Sequence, residues 1–183
     1  RMLVGWSAYK EMLTAKQGDG TGHMRYKPRI GQDDRYAFDE AKKVIANCKK
    51  LIVDCSGVSV LAGGYSDGPW GGCTETDISY YTPAFFRVFA EVTNDNTWSK
   101  LANDAYTLLE RSAHASTGLV PDWQHADGTP GTSGDGNPGS LSGRIGYFRY
   151  DACRVPWRMA LDYLWNGNEK AYEWCKKISI WAD

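Results

Sequence analysis

The run Tyr147-Phe148-Arg149-Tyr150-Asp151-Ala152-Cys153-Arg154-Val155-Pro156-Trp157-Arg158 is where residue types and spacing come closest to chemistry. Pro156 has no N–H to donate and must lie in the first turn of a helix, and it biases Val155 away from helical geometry. The helix therefore begins near Pro156, and Asp151 stands too early to serve as a simple N-cap. Its carboxylate instead lies on the approach to a helix N-terminus, with Arg154 three residues on. Helix dipole and guanidinium both favour an ionised carboxylate. A charged, positioned carboxylate is what a general base needs to take a proton from water. The alternative is a buried Asp151–Arg154 ion pair that braces two helices, since structural pairs perturb titration too.

Other patterns fit known chemistry poorly. Gly134-Asp135-Gly136-Asn137-Pro138-Gly139 matches GxGxxG, yet no strand precedes it and no helix follows, and Pro138 removes an N–H that would face a phosphate. His23, His114 and His125 have no metal-ligand spacing, so no metal and no cofactor is expected. There is no GxSxG elbow. The five cysteines (Cys48, Cys55, Cys73, Cys153, Cys175) form no CxxC pair. One or two disulfides are compatible with an exported protein; Cys48–Cys55 is the closest pair in sequence, and Cys73–Cys153 would join the two segments richest in site candidates.

The elements that must position Asp151 are helical. Met2, Trp6, Tyr9 and Leu13 recur at helical spacing, as do Phe38, Ala41, Ile45 and Cys48. Pro83 opens a helix through Phe85, Phe86, Val88, Phe89 and Val92. A turn at Thr93-Asn94-Asp95-Asn96 leads to another, with Trp98, Leu101, Ala105, Leu108 and Leu109 on one face. Pro156 opens a further one, and Asn166-Gly167-Asn168 leads into the last (Ala171, Trp174, Ile178). Only Leu51–Asp54 and Val58–Leu61 hint at strand. Short turns between helices imply antiparallel neighbours, so the fold class is all-α, stacked helical hairpins. Two loops are too long to be mere connectors: Gly57–Ser79, which carries Tyr65, Asp67, Trp70, Glu75 and Asp77, and the Gly-rich Ser116–Tyr150.

Composition narrows the function. The chain has 183 residues and a net charge of −1, enough for one domain with a core and without the basic field that attracts nucleic acid. No apolar run approaches the roughly 20 residues that cross a bilayer, so neither nucleic acid nor membrane is an expected partner. Eight Trp and eleven Tyr are the excess, and flat amphipathic rings suit the faces of sugars. The start at Arg1, without Met, is expected of a processed or truncated product.

Four ordered segments carry a resemblance: Asp39–Ile45 (DEAKKVI), Ile78–Thr93 (ISYYTPAFFRVFAEVT), Thr117–Trp123 (TGLVPDW) and Tyr150–Asn168 (YDACRVPWRMALDYLWNGN). Together they resemble glycoside hydrolase family 8. The resemblance implies an (α/α)6 barrel with long site-building loops. It also implies a secreted, inverting, endo-acting hydrolase of β-1,4-linked polysaccharide, xylan or cellulose and related β-glucan. In one subfamily the general base is the Asp of a Tyr-Asp-Ala-x-Arg motif. That places the base on Asp151, with Tyr150 and Arg154 positioning it and Trp70, Tyr80 and Tyr81 lining the cleft. A chitosan substrate would call for extra carboxylates, for which Glu75 and Asp77 are candidates. A non-catalytic glycan-binding module on the same fold is the alternative.

The family's general acid is a Glu in a segment resembling Ser-Glu-Gly-x-Gly-Tyr, which has no counterpart here. Glu11 lacks the glycines and Glu75 lies in the wrong part of the chain. A further family Asp precedes a helix resembling Ala8-Tyr9, and Val4 and Trp6 stand in its place. Residues 1–183 are therefore expected to be the C-terminal portion of one such catalytic domain, with the N-terminal half absent. That complementary half is the expected partner besides glycan, and the 183 residues alone are expected to hydrolyse nothing.

Overall fold

Proline, asparagine and glycine punctuate this chain, and the elements fall between them. The structure, a computed structural model, describes residues 34–65, 68–70, 72–131 and 146–183, of which 34–37, 63–65 and 68–70 are described by backbone alone. The chain divides into two units, Arg1–Ala41 and Lys42–Asp183. The expected helix at Met2–Leu13, with Ala8, Tyr9 and Glu11, and the Gly134–Gly139 pattern lie outside the described residues. The first unit is represented by the start of helix α1 (Asp34–Lys49), which runs on into the second and buries Ile45 there.

After α1 the chain makes a hairpin, β1 (Ile52–Cys55) with β2 (Val58–Leu61), antiparallel and in the register Cys55↔Val58. The two turn residues Ser56 and Gly57 both have positive φ, 54° and 86°, the geometry of a tight turn that matches strand twist. A second, smaller hairpin, β3 (Gly63–Tyr65) with β4 (Gly68–Trp70), follows inside the Gly-rich segment. Both strands hinted at by the sequence are present, and β3 and β4 are additional.

Helix α2 (Pro83–Thr93) starts with Pro83 in its first turn and stops at Asn94, whose φ of 52° ends the helix in the left-handed region. Asp95 then caps α3 (Asn96–Ser112) by accepting from the Thr97 N–H at 3.0 Å. The two helices pack through Phe86, Phe89 and Trp98, with the Phe89 and Trp98 rings edge to face at 5.1 Å. Helix α4 (Val155–Asn166) ends at Gly167, and Asn168 caps α5 (Glu169–Ala182). Trp98, Leu101, Leu108, Leu109, Val60, Val155 and Met159 form the buried centre.

Two polar devices tie these elements together. Asp104 on α3 accepts from the Ser59 N–H at 2.6 Å, and Lys100 reaches the Gly57 carbonyl at 2.7 Å, clamping β2 to the helix. Asp162 on α4 is fully buried and satisfied. It accepts from Arg87 Nε (3.0 Å) and Nη2 (3.3 Å), Tyr106 Oη (2.7 Å), Asn166 Nδ2 (2.8 Å) and Asn168 Nδ2 (2.7 Å). Burial opposes its ionisation, but Arg87, Tyr106 and Asn168 outweigh that and hold its carboxyl below the usual range.

Beyond α3 the chain doubles back on itself at Gly128, where φ is +94° and a Cβ would lie 2.6 Å from the Arg111 carbonyl oxygen. Arg111 Nη1 in turn donates to the Ala126 carbonyl at 2.7 Å. The disulfide joins Cys55 to Cys73, neither of the pairs weighed from sequence. The reason is that the segment after β4 returns alongside β1, with Gly72 against Val53, which brings Cys73 to Cys55. Cys153 is an exposed thiol.

Candidate active site

The segment Gly146–Arg154 is wrapped around one carboxylate. Asp122, almost fully buried, lies between Pro121 and Trp123 in the TGLVPDW stretch. Its Oδ1 accepts the backbone N–H groups of Arg149 (3.0 Å), Asp151 (3.1 Å) and Ala152 (2.8 Å), and its own N–H donates to the Tyr147 carbonyl at 2.9 Å. Burial pushes the Asp122 carboxyl above the usual range, against the N–H groups of Ala152 and Arg149 and the charges of Arg149 and Arg154.

Asp151 therefore sits on a turn whose backbone is held from within. A 3-10 turn, Ala152–Arg154, follows it and runs directly into α4. Asp151 stands at the N-cap position of that turn but its side chain makes no cap bond to it, and Val155, expected to avoid helical geometry before Pro156, is helical with φ −60° and ψ −44°. The Asp151 carboxylate pairs instead with the Arg154 guanidinium, and both are part-exposed, at 28% and 36% for their side chains. The pair is thus an accessible one and not a buried brace between helices.

Aromatic rings flank the pair. Tyr80, 56% exposed, lies 5.6 Å from the Arg154 guanidinium, and Tyr150, also exposed, stacks with Arg149 at 5.2 Å. Arg158 covers the exposed Trp157 ring at 4.2 Å. Tyr81 points the other way. It has no exposure, and its hydroxyl accepts from the Leu61 N–H at 2.7 Å and shares a hydrogen bond with Thr76 at 2.9 Å. Among the described residues it therefore fastens β2 to the Thr76 segment and offers no surface to a sugar. Tyr80 closes the 3-10 turn Ile78–Tyr80 on its exposed side, and the change to extended backbone at Tyr81 turns the next ring inward. Trp70 ends β4, and its side chain lies outside the described residues.

Glu75 and Asp77 are buried too, so neither is a surface carboxylate available to a cationic sugar. Asp77, 4% exposed, caps the 3-10 turn Ile78–Tyr80 by accepting from the Ser79 N–H at 2.7 Å. Its Oδ2 has no hydrogen-bond partner among the described residues. Burial is the main cause that pushes its carboxyl up to about 6, opposed by Ser79 and Arg154 and reinforced by Asp122. Asp122 is the member of the site that sequence reasoning missed, and its only signal was its place in a resembling segment. Asp77 was singled out, but as a carboxylate for a cationic sugar, whereas its Asp-x-Ser spacing before a proline-led helix signals a cap.

An open concavity of about 570 Å³ lies at the other end of α4, lined by Arg87, Asn103, Tyr106 and Asn168 among others. Arg87, Tyr106 and Asn168 are committed to Asp162, and Asp151 does not line the concavity. No group of three His, Cys, Asp or Glu that could hold a metal occurs among the described residues, and no described helix is long and apolar enough to cross a membrane.

The helical hairpins, with the carboxylate–guanidinium pair on the loop before a proline-led helix, fit a portion of an (α/α)6 barrel, the fold of the family that the chain matches. The chain belongs to the glycosyl hydrolases family 8, whose family model matches residues 28–182. It is 40% identical over 140 residues to endoglucanase C of Ruminiclostridium cellulolyticum, covering 76% of this chain and 27% of that protein. Endoglucanase A of Acetivibrio thermocellus is 36% identical over 142 residues, with the same coverage of 76% and 27%. The apo structure of a β-1,3-1,4-glucanase from Paenibacillus sp. X4 shares the fold, with a TM-score of 0.64 at 23% identity over 96% of this chain and 44% of that one. The chain thus spans about a quarter of the length of these endoglucanases.

Proposed function

We propose that the protein is an inverting, endo-acting hydrolase of β-1,4-linked glucan in which Asp151 is the general base. The observation that carries this is the setting of Asp151: part-exposed, paired with Arg154, and with the exposed ring of Tyr80 against that guanidinium. Arg154 fixes the direction of the carboxylate without removing it from solvent. In the reaction, Asp151 takes a proton from a water that attacks the anomeric carbon, while a second carboxyl protonates the leaving oxygen. Such pairs stand about 6.5–9.5 Å apart so that the water fits between them. The second carboxyl is a Glu from the part of the barrel N-terminal to these elements, which together with glycan is the proposed partner of residues 1–183. Glucan is preferred over xylan because the relatives at 36% and 40% identity carry the name endoglucanase. Secretion is proposed as well, and the Cys55–Cys73 disulfide supports it, because such bonds persist in oxidising compartments.

The test is Asp151→Asn in the full-length protein, assayed by reducing-end release from a soluble β-1,4-glucan. Removal of a general base lowers turnover by about 10²–10⁴-fold, with oligosaccharide binding retained. Proton NMR of the first product formed by the unaltered enzyme reads the α-anomer. Unchanged turnover in the variant, or a β-anomer formed first, sinks the reading.

A further inference from the structure

We infer that Asp122 is the positioning residue for the general base: its buried carboxylate sets where Asp151 stands. This rests on the proposed role of Asp151 and deepens it. Asp151 lies between two residues whose N–H groups point at a single oxygen, Asp122 Oδ1, and its own N–H points there as well. Three bonds to one ionised acceptor are stronger than bonds to a neutral one, and they fix the backbone on both sides of the base. The fourth bond, from the Asp122 N–H to the Tyr147 carbonyl, closes the loop at its start.

The mount itself is rigid. Gln124, two residues on, exchanges backbone hydrogen bonds with Thr76 at 2.8 and 3.0 Å. Its Nε2 donates to the Leu108 carbonyl of α3 at 3.2 Å, and the Trp123 carbonyl accepts from the Gly131 N–H at 2.7 Å. Asp122 is therefore fastened to the helical core, and the loop bearing Asp151 is fastened to Asp122. The charges around the carboxylate are Arg149 and Arg154 on the loop and Asp77 on the turn packed against it. Asp122 thus balances the same arginine that pairs with Asp151.

The experiment compares Asp122→Ala, Asp122→Asn and Asp151→Asn in the full-length protein. It measures kcat and KM on β-1,4-glucan and amide hydrogen exchange of peptides spanning residues 149–153. Asp122→Ala is expected to lose exchange protection at Asp151 and Ala152 and about 10²-fold in kcat, the scale of an ångström-sized misplacement, with KM little changed. Asp122→Asn keeps an acceptor oxygen in place, so it recovers most of kcat. A merely structural Asp122 leaves the kcat-to-KM split unmoved and gives no rescue by Asn over Ala. Unaltered protection in Asp122→Ala, or a kcat in the folded Asp122→Asn protein no higher than in Asp122→Ala, overturns the assignment. A fully active Asp151→Asn protein overturns the functional reading instead, and exchange protection then still decides whether Asp122 holds the loop.

Discussion

Replacing Asp77 by Asn should stabilise the protein at neutral pH and leave it unchanged in acid. The carboxyl is 4% exposed, and one of its oxygens has no hydrogen-bond partner among the described residues. Its rise from an ordinary 3.8 to about 6, at about 1.4 kcal/mol per pH unit, corresponds to about 3 kcal/mol. The sign follows from linkage. Below pH 3.8 the group is protonated in both states, and the advantage of the folded state is complete. As pH rises toward 6, the unfolded chain ionises freely while the folded one resists, and that contribution is lost. Asn is neutral throughout and still accepts the Ser79 N–H as a cap. Urea unfolding of both proteins from pH 4 to pH 8 should therefore show a gap that opens with pH and levels off above about 6, reaching at most about 3 kcal/mol in favour of Asn. A gap independent of pH, or an Asn variant less stable at pH 8, would refute the reasoning, because the cost assigned to the buried charge would then be absent.

Two further outcomes concern the packing that carries the site. Asp162→Ala removes the acceptor for five donor atoms and leaves Arg87, 26% exposed, without its buried partner. The loss should be about 3–5 kcal/mol in urea unfolding, with Asp162→Asn losing less, and a change under 1 kcal/mol would count against Asp162 as the link between α2 and α4. Cys55 and Cys73 are 18 residues apart, a span for which cross-linking is worth about 3 kcal/mol. Reduction should lower the urea midpoint accordingly, and an unmoved midpoint would mean that the hairpin holds the segment by itself.

The helices were legible because their ends carry residues with one physical use. Pro83 and Pro156 can only begin a helix, and Asn94 and Gly167 accept the left-handed geometry that ends one. The strands β1 and β2 were legible from their β-branched residues, though not their pairing through Ser56-Gly57 into a hairpin. The strands β3 and β4 were not, since Gly63, Gly64 and Gly68 carry no side-chain pattern to read. Asp151 and Arg154 were singled out from Pro156, their mutual spacing and the resemblance of the segment that carries them. Tyr81 was misjudged because buried and cleft-lining tyrosines look alike in sequence, and only the placement of Leu61 and Thr76 around its hydroxyl separates them. Asp122 was overlooked as a site member because its partners are backbone N–H groups of a distant loop, which no sequence pattern marks. The disulfide pairing depended on a chain reversal that spacing alone does not encode.

The close approach at Gly128 has a practical reach for engineering. Anyone diversifying the stretch from Ser116 to Gly131 to change what the protein accepts would have to leave Gly128 fixed. Any side chain there would collide with the Arg111 carbonyl and lever the neighbouring turn off α3. Asp122 lies on that same stretch, so the damage would travel to the loop it holds. A library that randomises Asp127 and Thr129 but spares Gly128 should therefore return far more folded members than one that varies all three.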